Sequence, residues 1–589
     1  MLKNYLKIAL RFMLRQKGFS IINIAGLTIG ITCSLLIILY IYDELSYDKF
    51  HPDAEQIYRL GFRGVLEGKK FNSTQTGLLL AQSLDEDVPE IESVLRIANW
   101  KTFPIRFEDK AFTEPSLLLA DSNFFRFFNF KLVEGHPDSV LAGERKIVIT
   151  ESAARRYFNY QRNGDQSPIG KIINLAQGYT ATVAGIAADP PLNSHFHFSV
   201  ILSLKSFTTT ARSDYMTGTV FTYFKLKPGA QLDDAFAKFN NIIEYKIGAQ
   251  LEQEQNTTLA NFKAQGNDIA FFSQPLLNIH LRSQLNDEFE PNSDVQYLFT
   301  FGSIALFITA LACINFMNLS TARSASRAKE VGIRKAVGAP YNRLMTQFLL
   351  ESYLYIVIAV IISLLFILVL LPVFNLFTGK QLSFTVLANP VFLACAIICV
   401  VVSGLLAGSY PAFYLSHFSP VEVLRGKLRQ QIRSYGIRNG LVVFQFFISS
   451  VLIISTLVVY LQIRYIQQAN IGFDKDNIIN LLHTRNLGEN GVAFKNELLS
   501  HPEISSASYA NRLPPHVDWQ SVFTLLDTEK DYLLGVYEMD YDHQETMRYE
   551  MLEGRFFSEQ NAADTNAVIL NETAARKLGL SIFTGKKLI

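Results

Sequence analysis

Five stretches of this chain contain no Asp, Glu, Lys or Arg and are long enough to cross a bilayer as helix. They cover 18–42 (25 residues), 295–322 (28), 352–379 (28), 381–421 (41, apolar from about 391 to 415) and 439–463 (25). A bilayer core takes about 20 apolar helical residues, because each backbone polar group must find its partner inside the segment. One such run could be a buried core helix. Five together specify a multi-pass α-helical membrane protein with five spans. The first run is too long for a signal-peptide core, and no small-residue cleavage site precedes Asp43-Glu44, so it reads as an anchor.

Basic residues orient the spans. Lys3, Lys7, Arg11, Arg15 and Lys17 precede the first. Arg323, Arg327, Lys329, Arg334, Lys335 and Arg343 lie between the second and third. Arg425, Lys427, Arg429, Arg433 and Arg438 lie between the fourth and fifth, whereas the third and fourth are joined through a segment holding only Lys380. The three basic segments are expected in the cytoplasm, with a cytoplasmic N-terminus. The regions 43–294 and 464–589 then face the other side of a bacterial inner membrane. Lys3, Lys7 and Arg11 recur every four residues with Leu6, Leu10 and Met13 on other faces, which predicts an amphipathic helix over 1–17 along the inner surface.

The chain has 54 basic and 53 acidic side chains, and this near-balance argues against a nucleic-acid binder. Its four cysteines, Cys33, Cys313, Cys395 and Cys399, all fall inside apolar runs. They read as small membrane-buried side chains, not as a disulfide framework or a zinc site.

Sequence elements recur at an offset near 420 residues. Phe50-His-Pro-Asp-Ala-Glu-Gln-Ile57 follows the first span and Phe473-Asp-Lys-Asp-Asn-Ile478 the fifth. Lys131-Leu-Val-Glu-Gly135 pairs with Met551-Leu-Glu-Gly554, and Val148-Ile-Thr-Glu-Ser-Ala-Ala-Arg155 with Ile569-Leu-Asn-Glu-Thr-Ala-Ala-Arg576. Ile169-Gly-Lys-Ile-Ile173 pairs with Thr584-Gly-Lys-Lys-Leu-Ile589. Four matches in one order at nearly one offset point to a duplicated architecture. The first copy continues past Gly170 and the second stops at the equivalent place, so about 200 further residues with three more spans are expected. The two polar regions read as mixed α/β domains. Strands are expected at 146–149 and 179–184, a helix at 151–158 with Thr150 as N-cap, and helix over 230–265.

After the second span comes Ile314-Asn-Phe-Met-Asn-Leu-Ser-Thr-Ala-Arg-Ser-Ala-Ser-Arg-Ala-Lys-Glu-Val-Gly-Ile-Arg-Lys-Ala-Val-Gly-Ala-Pro340, followed by Leu344-Met-Thr-Gln-Phe-Leu-Leu-Glu351. Gly408-Ser-Tyr-Pro-Ala-Phe-Tyr-Leu-Ser416 and Pro420-Val-Glu-Val-Leu-Arg-Gly-Lys427 lie at the end of the fourth span. These segments resemble the FtsX-type permease domain, and the region from 43 to about 285 resembles the MacB-type periplasmic core domain. The resemblance implies this organisation: a cytoplasmic helix at 1–17, a span at 18–42, a MacB-like core at 43–294 and an FtsX-like domain at 295–421. The last has spans at about 296–320, 345–372 and 391–415 and a coupling segment at 323–343. A cytoplasmic linker at 422–438, a fifth span at 439–463 and an incomplete second MacB-like domain at 464–589 complete it. It further implies that the coupling segment docks on an ABC ATPase subunit through Lys329, Glu330, Val331, Gly332, Arg334, Lys335 and Gly338. Glu330 and Arg334 form an i,i+4 pair, and Gly338 before Ala339-Pro340 is a natural helix stop.

No Walker-type loop occurs. Gly164 to Lys171 has five residues between its glycines and Ile172 where Ser or Thr is required, so it reads as a turn before a strand. The chain is therefore expected to be a non-catalytic subunit without cofactors, ATP being bound by its partner. His195-Phe-His197 has no third ligand at metal spacing and reads as a sheet surface beside a Pro-rich turn. Gly26-x-x-x-Gly30 and Gly404-x-x-x-Gly408 would let helices approach closely. The expected function is ATP-driven export or extraction of an antimicrobial compound, peptide or lipoprotein, with a periplasmic adaptor, outer-membrane channel or lipoprotein as further partners. The alternative is an FtsX-like regulator of a periplasmic cell-wall hydrolase.

Overall fold

A computed structural model describes the chain from residue 2 to 579, apart from 67–68, 163, 165, 176–178, 209–213, 286, 323–330, 386–388, 417–434, 470, 483, 515–518 and 526–529. Lys329, Glu330, the linker up to 434 and the repeat element at 584–589 lie outside the described residues. The chain divides into two units, Met1–Val451 and Leu452–Ile589.

In the first unit, α1 (Leu2–Arg15) leads into α2 (Lys17–Glu44). The α/β domain then carries α3 (Leu80–Asp87), α4 (Phe124–Phe128), α5 (Glu151–Phe158), α6 (Lys205–Thr208), α7 (Leu232–Ile242), α8 (Gly248–Gln255), α9 (Leu259–Ala264) and α10 (Ile279–Arg282). Three long helices follow: α11 (Val295–Ala322), α12 (Tyr341–Thr378) and α13 (Pro390–Ser416). A fifth, α14 (Tyr435–Gln468), runs across the boundary between units. Helices α2 and α11 to α14 are each long and apolar enough to cross a membrane.

Lipid tails are as apolar as leucine, so helices in a bilayer associate through close packing and hydrogen bonds. Here α2 packs on α11 and α12, and α12 on α13, around Leu27, Ile31, Leu35, Cys313, Phe316, Tyr355, Ala359, Phe392 and Ala407. Polar bridges reinforce this core. Ser34 Oγ donates to the Ala305 carbonyl (3.0 Å), Ser363 Oγ to the Thr28 carbonyl (3.0 Å), and the Ser20 and Tyr355 hydroxyls meet at 3.0 Å. All four cysteines are free. Cys313 and Cys399 are buried in the bundle, while Cys33 lies on its outer surface.

The α/β domain is built on an eleven-stranded mixed sheet. Its strands are β1 (Ile57–Leu66), β2 (Lys69–Ser73), β3 (Ile91–Phe107), β4 (Lys110–Ala120), β5 (Leu132–Glu134), β6 (Lys146–Thr150), β7 (Ile172–Leu175), β8 (Thr180–Ala187), β9 (Val200–Ser203), β10 (Phe221–Leu226) and β11 (Asp268–Pro275). The order is β11-β1-β10-β3-β4-β9-β6-β8-β5, with β2 on β1 and β7 between β3 and β8. Central strands are apolar on both faces because each face is covered. Val148 and Ile201 enter a phenylalanine-rich core with Phe124, Phe128, Phe130 and Phe196, while Ile147, Ile149, Val200 and Leu202 enter the opposite core with Tyr157. Strands β6 and β8 and helix α5 fall where the sequence places them. The Thr150 hydroxyl accepts from the Ala153 N–H at 3.3 Å, capping α5. Within 230–265 the chain is helical over 232–255 and 259–264, and the α7–α8 junction is a π-helical turn, Ile243–Ile247. Gly170 adopts φ +84° in the turn before β7.

The reading of His195 and His197 as a sheet surface is corrected. Both lie between β8 and β9, outside any strand, and His195 is buried. Its Nδ1 meets Asp48 Oδ1 and its Nε2 the Tyr223 hydroxyl, both at 2.9 Å, whereas His197 Nδ1 pairs with Glu290 (2.9 Å). These rings tie the Pro-rich turn to segments distant in sequence, which a local pattern does not reveal.

The second unit contains α15 (Gly491–Leu499), a hairpin of β12 (Trp519–Leu525) and β13 (Lys530–Val536), α16 (His543–Met547) and α17 (Glu572–Lys577). Several local features parallel the first unit. Asn571 Oδ1 accepts from the Ala574 N–H at 2.8 Å, capping α17 as Thr150 caps α5. Glu572–Arg576 and Glu151–Arg155 are both i,i+4 pairs at 2.6 Å. Arg548 after α16 and Asn129 after α4 both take left-handed φ, 52° and 56°. Phe473 meets Tyr549 at 6.0 Å between ring centroids, as Phe50 meets Phe130 at 5.8 Å.

Candidate functional site

The motif segment enters the described residues at Val331. Residues 331–336 form a short helical stretch. Val331 is buried, packed with Leu344 and Phe348 at the start of α12 and Ala412 near the end of α13. Arg334 Nη1 donates to Gln347 Oε1 at 3.0 Å, and Lys335 Nζ lies 5.9 Å from the Tyr341 ring centroid. Val331 thus anchors the stretch against both helices, and Arg334 ties it to α12.

Its end explains Gly338. The Ala339 N–H bonds to the Arg334 carbonyl and the Gly338 N–H to the Lys335 carbonyl, both at 3.0 Å. This double closure needs a left-handed residue, and Gly338 supplies φ +90° without a Cβ penalty. Pro340 then occupies the N-cap of α12, where a missing N–H costs nothing. Gly332 is buried with Val331, whereas Ile333 (49 % exposed) and Val337 (84 %) face outward. Ile333 and Val337 are not among the residues singled out by the sequence. Helical spacing alone could have found them, since apolar residues four apart share a face.

The four glycines of the two small-residue motifs all lie against neighbouring helices. A Cβ on Gly30 would stand 2.7 Å from Ala312 Cβ, and one on Gly26 3.4 Å from Asn315 Nδ2, both on α11. On α13, a Cβ at Gly404 would stand 2.1 Å from the Tyr353 ring and one at Gly408 2.9 Å from Ser352 Cβ, both on α12.

Comparison with known proteins gives matches on both halves of this architecture. Residues 20–242 match the MacB-like periplasmic core domain and residues 302–420 the FtsX-like permease C-terminal domain, together more than half of the chain. A stretch of 432 residues, 71% of this chain, is 23% identical to 60% of the macrolide export ATP-binding/permease protein MacB of Bradyrhizobium diazoefficiens. A stretch of 132 residues (21% of this chain) is 28% identical to 20% of the protein of that name from Mannheimia succiniciproducens. The chain thus spans from a fifth to three fifths of the length of these relatives. Among solved structures, a permease domain from Porphyromonas gingivalis is 20% identical, covering 42% of this chain and 98% of that one with a TM-score of 0.32. The periplasmic region of MacB from Actinobacillus actinomycetemcomitans is 15% identical, covering 38% and 90%, with a TM-score of 0.25. Carrying both domain types on membrane-spanning helices, the chain belongs to the MacB/FtsX-like family of ABC transporter permeases.

Proposed function

We propose that this chain is the membrane subunit of an ABC system whose ATPase is a separate chain docking at 323–343. ATP binding and hydrolysis move this segment, α12 and α13 carry the movement, and the extracytoplasmic domain responds by gripping or expelling a substrate. The curated relatives are named macrolide exporters. An antimicrobial compound, a peptide or a lipoprotein is the substrate class proposed here, with a periplasmic adaptor, an outer-membrane channel or a lipoprotein as further partner. The boundaries at 43–294 and 464–589, the cytoplasmic N-terminus and the duplicated architecture belong to the same reading.

One observation carries it. The 331–337 segment is anchored by Val331 between the ends of two membrane helices and presents Ile333 and Val337 outward beside Arg334 and Lys335. A force applied there is passed to both helices, because packed interiors transmit strain. The test replaces Glu330 and Arg334 together by Ala and isolates the chain from its native membrane. Loss of ATPase co-purification, with the bundle's melting temperature retained, is expected. Unchanged association together with unchanged coupled ATP hydrolysis would remove these residues from the docking role.

A further inference from the structure

The segment joining α12 to α13 holds one ionisable side chain, Lys380. Its ammonium is mostly buried and reaches Glu44 Oε1 at 2.6 Å, Asp43 Oδ2 at 2.9 Å and the Tyr47 hydroxyl at 3.2 Å. An ammonium has three protons to give, and three acceptors are in place. Glu44 lies at the end of α2 and is 2 % exposed. Its second oxygen, Oε2, accepts from His280 Nε2 at 2.9 Å. The His280 ring, on α10 of the α/β domain, stacks on Tyr47 with centroids 3.4 Å apart and planes 3° from parallel. One carboxylate thus joins three separate pieces of chain: the end of α2, the α12–α13 connection and the last short helix of the domain. At the other end of that connection, Asn389 Nδ2 donates to the Tyr42 hydroxyl at 2.9 Å.

We propose that Lys380 is a positioning residue for energy transmission, the clamp through which the α12–α13 hairpin moves the α/β domain. Helix α12 has 38 residues, a rod of about 57 Å at 1.5 Å per residue. One end packs on Val331 through Leu344 and Phe348, and the other ends just before Lys380. Helices α2 and α11 adjoin the domain directly in sequence, but α12 and α13 do not. Among the described residues, their polar ties to α2 and Tyr47 at this end of the bundle run through Lys380 and Asn389. Because the clamp is buried and fully hydrogen-bonded, removing its cation leaves the carboxylates without their counter-charge. The inference deepens the proposed function by naming how movement of the 331–336 stretch reaches the domain.

The test needs no ATPase. The full chain is placed in lipid nanodiscs and amide hydrogen exchange is followed at residues 279–282. Leu344→Ala loosens the far end of α12, and in the otherwise natural chain it should raise exchange there by about tenfold. In a Lys380→Met background the same substitution should change exchange by less than about twofold, and Lys380→Arg should restore the response. A purely structural role for Lys380 would shift the baseline but leave the Leu344→Ala effect intact. An equal Leu344→Ala effect in both backgrounds, or none in the natural chain, would overturn the proposal. ATPase co-purification, read separately, bears on the docking segment and not on the clamp.

Discussion

Arg59 sits fully buried on β1, where a guanidinium persists only if its donors are used. Nη2 donates to Glu288 Oε1 at 2.8 Å and to Gln274 Oε1 at 2.7 Å, and Nη1 reaches Glu288 Oε2 at 2.5 Å. Arg59→Met should destabilise the α/β domain by about 3–5 kcal/mol, because it strands Glu288 in a low-dielectric site, and Arg59→Met/Glu288→Leu should recover much of that loss. Denaturant unfolding of the detergent-solubilised chain measures both. His51 is the second residue with a sharp consequence. Burial pushes its imidazole down to about 4, against the opposing pull of the Phe128 carbonyl and Asp48. The unfolded ring takes up its proton near 6.5. The unfolded state therefore binds more protons between about pH 4 and 6.5, so this group's effect is to lower stability as pH falls through that window, by at most about 3 kcal/mol. His51→Asn keeps a donor for the Phe128 carbonyl and should flatten the difference between midpoints at pH 7 and pH 4.5. An unaltered pH slope in the variant would count against this assignment.

At the scale of elements, the bundle depends on where small residues meet neighbouring helices. Gly30 faces the short, inflexible Ala312 side chain at a separation no real Cβ tolerates, whereas a Cβ at Gly18 would meet nothing within 4 Å. Gly30→Ala should therefore force α2 and α11 apart at a cost of about 1–3 kcal/mol, while Gly18→Ala should be neutral or slightly favourable through helix propensity. Thermal melting in one detergent compares the two, and equal midpoints would refute the close-approach account. The x-x-x spacing of these glycines was visible in the sequence, but their partners were not, because periodicity specifies a face and not what covers it. Helix α5 shows the opposite case. Thr150 followed by Glu151-Ser-Ala-Ala carries its own start signal within one turn, so strand, cap and helix were all legible locally. The π-helical turn at Ile243–Ile247 had no such signal, since one extra residue in a turn leaves composition unchanged.

At the scale of the whole molecule, the charge asymmetry of the connecting segments predicts which side each occupies. In a chain whose Cys33, Cys313, Cys395 and Cys399 have been replaced by Ser, a cysteine at 167 should react with an impermeant thiol reagent added outside. One at 324 should react only after the membrane is opened. Ser167 is exposed in the α/β domain, and its hydroxyl bonds to Glu134, so label access there is not limited by burial. Preferential outside labelling at 324 would invert the topology. By itself the sequence determined the five spans, the mixed α/β character of the first polar region and the motif that marks the permease domain. Each is a local quantity: the length of an apolar run, its period, or residues adjacent in the chain. Only the tertiary structure decided which side chains meet across the fold. Lys380 and Tyr47 are 333 residues apart, His280 and Glu44 236, and His195 and Asp48 147. An isolated lysine or histidine carries no mark of its partner, because a charge–charge contact is set by distance in space and by the exclusion of water around it.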